Sequence, residues 1–192
     1  MSRILLAIVL LPLLSGLAAA QDARTQADSM GDRIISGQSQ AAGTSVEWGT
    51  ATGVVARPAE DVLRVIRDYA SYRDFMPHFR TSRVLARRGG RALIYFEVGI
   101  MRDAHTLWGQ LDVRERTLQD GTLEIEARLM QGNMDHFRAR WRVRAVDATR
   151  SLVSFRILVD PDLPLPASVF TDENVKAARR SVGALRQRLG AR

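Results

Sequence analysis

The stretch Val54-Val55-Ala56-Arg57-Pro58-Ala59-Glu60-Asp61-Val62, with its continuation Asp68-Tyr69-Ala70-Ser71-Tyr72-Arg73-Asp74-Phe75-Met76-Pro77, decides how this chain folds. Residues 46–56 read as a strand, with β-branched residues that stop before Arg57-Pro58. Pro58 opens a helix, since its ring presets φ and its missing N–H would have no helical partner there. Glu60 and Asp61 follow in the first turn, where free amides and the positive end of the helix dipole favour carboxylates. Val62, Val65, Ile66 and Tyr69 then recur at i, i+3, i+4 and i+7, one face of an amphipathic helix. A second short helical piece is predicted from Tyr72 to Phe75; it stops near Met76 because Pro77 disfavours helical geometry in the residue before it. The bulky set Tyr69, Tyr72, Phe75, Met76 and Phe79 reads as core rather than as ligand contacts.

Downstream, from Thr81 to Val159, the period changes from helical to alternating, with turn signals at Arg88-Gly89-Gly90, Asp120-Gly121, Gly132-Asn133 and Asp147-Ala148-Thr149. This spacing predicts about five or six consecutive antiparallel strands joined by hairpins. Leu123, Ile125, Ala127 and Leu129 alternate with Glu124, Glu126 and Arg128. Phe137, Ala139, Trp141 and Val143 alternate with Arg138, Arg140, Arg142 and Arg144. One face is therefore apolar and the other wet. After Pro161, Pro164 and Pro166, a long helix is predicted from about Pro166 to Leu189, with an apolar stripe of Val175, Ala178, Val182, Leu185 and Leu189. That stripe must pack on the apolar face of the sheet. The fold class is α+β: a strand, two short helices, a run of antiparallel strands and a long C-terminal helix.

Upstream, the chain opens with Arg3, an apolar run from Ile4 to Leu14 and the small residues Ala18-Ala19-Ala20. This is the pattern of a cleaved secretory signal peptide over residues 1–20, and the expected location is periplasmic or secreted. A membrane anchor fits less well, because the run is short and Pro12 and Gly16 interrupt it. Residues 21–44 are rich in Gln, Ser, Gly, Ala and Asp and are expected to be a flexible tether, leaving one domain over residues 45–192. The absence of cysteine excludes disulfides, thiolate chemistry and cysteine zinc sites. The net charge is +7; residues 1–20 contribute only Arg3, so the mature chain carries +6. Basic surface favours anionic partners, and export makes a membrane a better candidate than nucleic acid. Arg-rich composition as a solubility habit is the plainer account of the same charge.

The order of elements, together with the quoted stretch over residues 54–62 and 68–77, resembles the START-like (SRPBCC, helix-grip) superfamily, specifically its polyketide cyclase and coenzyme Q-binding branch. The resemblance runs from about residue 46 to 190. It implies a curved antiparallel sheet of about six to seven strands wrapped around the C-terminal helix, with a cavity between them. Such a cavity suits an apolar small molecule such as a lipid, sterol or quinone. The inward residues then supply its wall: Leu107, Leu111, Ile125, Leu129, Phe137 and Trp141, with Val182 and Leu185 from the helix. A filled core would use the same residues. Most close members of that branch are intracellular, and the export pattern departs from them.

Three histidines are present: His78, His105 and His136. His105 shares strand parity with Leu107 and Leu111, so it is expected to point inward and orient a guest; a simple hydrogen-bonded histidine is the plainer reading. No metal spacing such as H-E-x-x-H, no G-x-S-x-G nucleophile and no Gly-rich phosphate loop occurs, so no catalytic residue, metal ligand or cofactor is assigned. Glu124 and Glu126 are expected on the wet face, paired across strands with Arg138 to Arg144. Trp108 shares parity with polar residues and is read as exposed. Leu163-Pro164-Leu165-Pro166 with Val169 and Phe170 is the best membrane-facing loop, with Leu165 and Phe170 at the cavity entrance. Three functions stay open: a binder of an apolar guest, a cyclase or aromatase in which His105 moves a proton, and a filled-core interaction protein.

Overall fold

A computed structural model of the protein describes residues 11–101, 104–161 and 163–190. Helix α1 (Leu11–Met30) and strands β1 (Ile34–Ser39) and β2 (Trp48–Val55) come first. Helix α2 (Ala59–Arg67), a 3-10 turn (Tyr69–Ser71) and the short α3 (Tyr72–Phe75) follow. Six strands succeed them: β3 (Phe79–Arg88), β4 (Arg91–Ile100), β5 (His105–Thr117), β6 (Leu123–Gly132), β7 (Met134–Ala145) and β8 (Ser151–Pro161). Helix α4 (Ala167–Arg188) closes the described chain. All eight strands join one antiparallel sheet in the order β1-β2-β8-β7-β6-β5-β4-β3. The hairpins between consecutive strands give the local pairings; only the return of β8 beside β2 is long-range.

The sheet has one strand more than expected, and the extra one comes from the segment read as a tether. β1 pairs along its whole length with β2, from Ile34 opposite Gly53 to Ser39 opposite Trp48. An edge strand needs only one hydrogen-bonded neighbour, so a polar sequence holds there without a large apolar face. Side chains lock it: Thr50 Oγ1 donates to the Gly37 carbonyl at 3.0 Å, and Arg186 Nη1 donates to the Asp32 carbonyl at 2.7 Å. Ahead of it, Ala23, Ala27 and Met30 of α1 bury themselves against Val146, Leu152 and Val54. Arg150 reaches Asp28 at 2.9 Å and Arg24 Nε donates to the Val146 carbonyl. Residues 21–39 are thus docked on the domain, a correction to the expected tether. Residues 1–10 of the expected signal peptide lie outside the described residues. Among the described residues, no helix is long and apolar enough to cross a membrane.

Helix α4 lies directly on β1, β2 and β8. Two glycines permit this approach. A Cβ on Gly49 would fall closer than 3.0 Å to the backbone of Asn174, and one on Gly53 would press on Arg186. Asn174 is buried at this crossing and fastens it: its Oδ1 accepts from the Val159 amide at 3.1 Å, and its Nδ2 donates to the carbonyls of Glu47 and Val159 at 3.2 Å.

On the opposite, convex face the expected carboxylate–arginine ladder is present: Glu124 lies across from Arg142 and Glu126 across from Arg140. Glu124 is nevertheless fully buried rather than wet, covered by Arg116 at 2.6 Å, Arg142 at 2.7 Å and Arg140 at 3.6 Å. Long guanidinium side chains fold over the sheet and exclude water from the shorter acid beneath. Burial pushes the Glu124 carboxyl upward, but hydrogen bonds from Arg142 and Arg116 with the charge of Arg140 outweigh it and hold it below the ordinary range.

Candidate ligand-binding cavity

Because α4 covers only the β1, β2 and β8 side of the sheet, the concave faces of β4 to β7 have no helix packed flat against them. They curve around a cavity of about 540 Å³, closed by the α2–α3 corner and the N-terminal half of α4. A space of that size lies within the roughly 300–1,000 Å³ typical of small-molecule pockets.

Aromatic side chains make much of the wall. Tyr72 sits edge-on to Tyr69, Phe75 and Phe79, with ring centroids 5.5 to 5.8 Å apart. Phe79 leads to Phe96 and Phe96 to Phe137, at 6.0 and 5.1 Å, and Trp141 stacks on Phe155 at 4.0 Å. Such contacts fix the rings against one another, so the wall keeps its shape rather than collapsing inward. The Tyr72 hydroxyl donates to the Ile66 carbonyl at 2.7 Å. Burial pushes its phenol well above the ordinary value and pushes that of Tyr69 up to about 12, with Glu115 adding to the latter. Both are neutral hydroxyls near neutral pH.

The cavity opens where its lining becomes exposed: Met101 before β5, and Val169, Glu173 and Arg180 on α4. His78, held at φ 65°, completes this rim, with Arg180 Nη1 3.3 Å from its Nε2. Glu173 is engaged by Lys176 at 2.7 Å. Next to Arg180 on α4, Ser181 borders the cavity and is only 7% exposed.

Of the residues expected in the wall, Leu107, Leu111, Ile125, Phe137 and Trp141 are there, and Phe170 lines the cavity near its opening. Five other expected residues lie elsewhere: Leu129, Val182, Leu185, Leu165 and His105. Leu129 follows a register shift between Gln110 and Leu111, and its side chain reaches over Gly109 and Gly132. Val182 and Leu185 are fully buried in the helix–sheet core, because the C-terminal half of α4 rests on the sheet. Leu165 is 43% exposed in the loop before α4 and does not line the cavity. His105 has the expected parity but stands exposed at the first position of β5, opposite Ile100, outside the lining. Strand parity assigns a face; it does not say how far along the strand the cavity extends.

The sequence reading missed two groups. Tyr69, Tyr72, Met76 and Phe79, taken as core, line the cavity, because the α2–α3 corner forms one of its walls. The polar residues His78, Arg180 and Ser181 carry no motif. The only signal for Ser181 was its place three residues after Ala178, in line with the apolar stripe. Among the described residues, no three ligating side chains gather into a metal site.

A curved antiparallel sheet gripping a long C-terminal helix around an apolar cavity defines a helix-grip protein of the START-like class. The chain matches the family described as polyketide cyclase / dehydrase and lipid transport over residues 55–186, and it belongs to that family. Solved structures agree on the fold. The STAR-related lipid transfer protein from Xanthomonas axonopodis (fragment 25–204) superposes with a TM-score of 0.70 at 18% identity, covering 82% of this chain and 93% of that one. Human StAR-related lipid transfer protein 5 gives 0.66 at 12% identity over 92% and 95%. The Zhui aromatase/cyclase from Streptomyces sp. R1128 gives 0.54 at 17% over 82% and 94%. No curated protein matches the chain in sequence.

Proposed function

We propose that this chain is an exported binding module that takes up one apolar guest, of the lipid, sterol or quinone class, in its internal cavity. The observation that carries the reading is the 540 Å³ space walled largely by apolar and aromatic side chains. A filled-core interaction protein would have no such volume, since interiors otherwise pack to crystal-like density. The family description pairs lipid transport with cyclisation. Binding is the better-supported half here, because His105, the one proton-transfer candidate from the sequence, lies outside the lining. Export rests on the N-terminal pattern, and the arginine-rich convex face suits an anionic membrane.

Native mass spectrometry with organic extraction, on protein purified from its natural compartment, tests the reading. A co-purifying apolar molecule near one per chain supports it. Protein that is empty and takes up no lipid, sterol or quinone on incubation refutes it.

A further inference from the structure

Arg180 borders the cavity opening, yet among the described residues no carboxylate lies within ion-pair distance of it. Its hydrogen-bond partner is a ring nitrogen, His78 Nε2 at 3.3 Å; an arginine can only donate, so that nitrogen accepts. The nearby Glu173 is occupied by Lys176. The guanidinium thus keeps donors and its charge at the rim of a largely apolar space.

A second, independent observation lies one residue on. Ser181 is 93% buried and borders the same cavity, and among the described residues its hydroxyl has no hydrogen-bond partner. A serine in a helix ordinarily turns its hydroxyl to solvent or back to the preceding turn. Here it stands beside the cavity as a donor that a guest can meet.

The geometry points to a head-group site formed by Arg180 and Ser181 with His78 behind them, which selects guests that end in a carboxylate: a long-chain carboxylic acid, tail inward. This assignment rests on the apolar-guest reading above and narrows its ligand class. The tail fills the aromatic cavity. The carboxylate accepts from the guanidinium and from the Ser181 hydroxyl, and stays at the rim, where its charge need not be desolvated.

The test is displacement of the neutral dye Nile red from the full chain at low ionic strength, comparing hexadecanoate with its methyl ester. The two probes share a tail and differ in head-group charge. The wild type is expected to bind the acid tighter by about tenfold or more, the scale of a charged hydrogen bond. Arg180→Gln is expected to bring that ratio close to one while leaving the ester unchanged; Arg180→Lys retains part of it, and Ser181→Ala lowers it by a few-fold. Arg180 is exposed, and an unchanged thermal melt confirms that the variant folds. Equal affinity of the wild type for acid and ester, or a ratio that survives Arg180→Gln, overturns the head-group site while leaving the cavity reading intact. If neither probe displaces the dye, the cavity reading fails and the head-group site with it.

Discussion

Substituting Gly49 by alanine tests how α4 is seated, on which the whole cavity depends. The new methyl would fall closer than 3.0 Å to the backbone of Asn174, and backbone in mid-helix cannot swing aside as a side-chain tip would. Restoring an ordinary carbon contact of about 3.5 Å requires the helix to lift locally by roughly 1.5 Å. That movement strains the three hydrogen bonds of Asn174 to Val159 and Glu47. Overpacking of this kind costs about 1–3 kcal/mol, and each weakened hydrogen bond about 0.5–1.5 kcal/mol. The expected loss is about 3–5 kcal/mol, a large share of the roughly 5–15 kcal/mol that holds a domain folded. Urea unfolding monitored by tryptophan fluorescence reads this as a midpoint lowered by about 1.5 M or more at unchanged slope. Gly37→Ala is the control: its new methyl would meet only the Thr50 hydroxyl at 3.8 Å, so the effect should stay within about 0.5 kcal/mol. A Gly49→Ala protein less than about 1 kcal/mol destabilised would refute the close crossing of α4 over β2.

Three further outcomes follow from the same geometry. Ala139→Trp places an indole in the cavity wall and should reduce guest affinity by at least about tenfold without unfolding the protein, since guest and side chain compete for one volume; dye displacement and a thermal melt together check it. Glu124→Gln removes a carboxylate whose folded pKa is depressed, so its contribution is present above the unfolded value of about 4.3 and is lost as pH falls through the lower folded value. The wild type should therefore be more stable by about 1–3 kcal/mol at neutral pH, with the two proteins converging in acid-unfolding curves as the pH falls through the lower folded value. Met30→Ala should cost about 2 kcal/mol, and amides over residues 21–39 should exchange slowly in hydrogen-exchange measurements; fast exchange there would restore the tether.

The features legible from the residues alone are periodic and local. Pro58 followed by two acids started α2, Pro77 stopped α3, Pro166 placed the start of α4, and the alternation of Phe137, Ala139, Trp141 and Val143 with four arginines separated the two faces of β7. Each of these depends on neighbours within a few residues, where backbone sterics and side-chain period act directly. The rest depends on contacts between elements far apart along the chain. Ile34 to Ser39 has too little apolar content to announce a strand, and becomes one because β2 offers it an open edge. Glu124 reads as a wet-face acid and is buried because three arginines, one of them on β5, converge above it. Val182 and Ser181 sit side by side on α4, yet one packs in the core and the other borders the cavity, since two glycines on β2 set where the helix meets the sheet and the curvature of β4 to β7 sets where it does not. The boundary between core and cavity is a matter of how far two elements stand apart, and that distance comes from contacts more than a hundred residues distant along the chain.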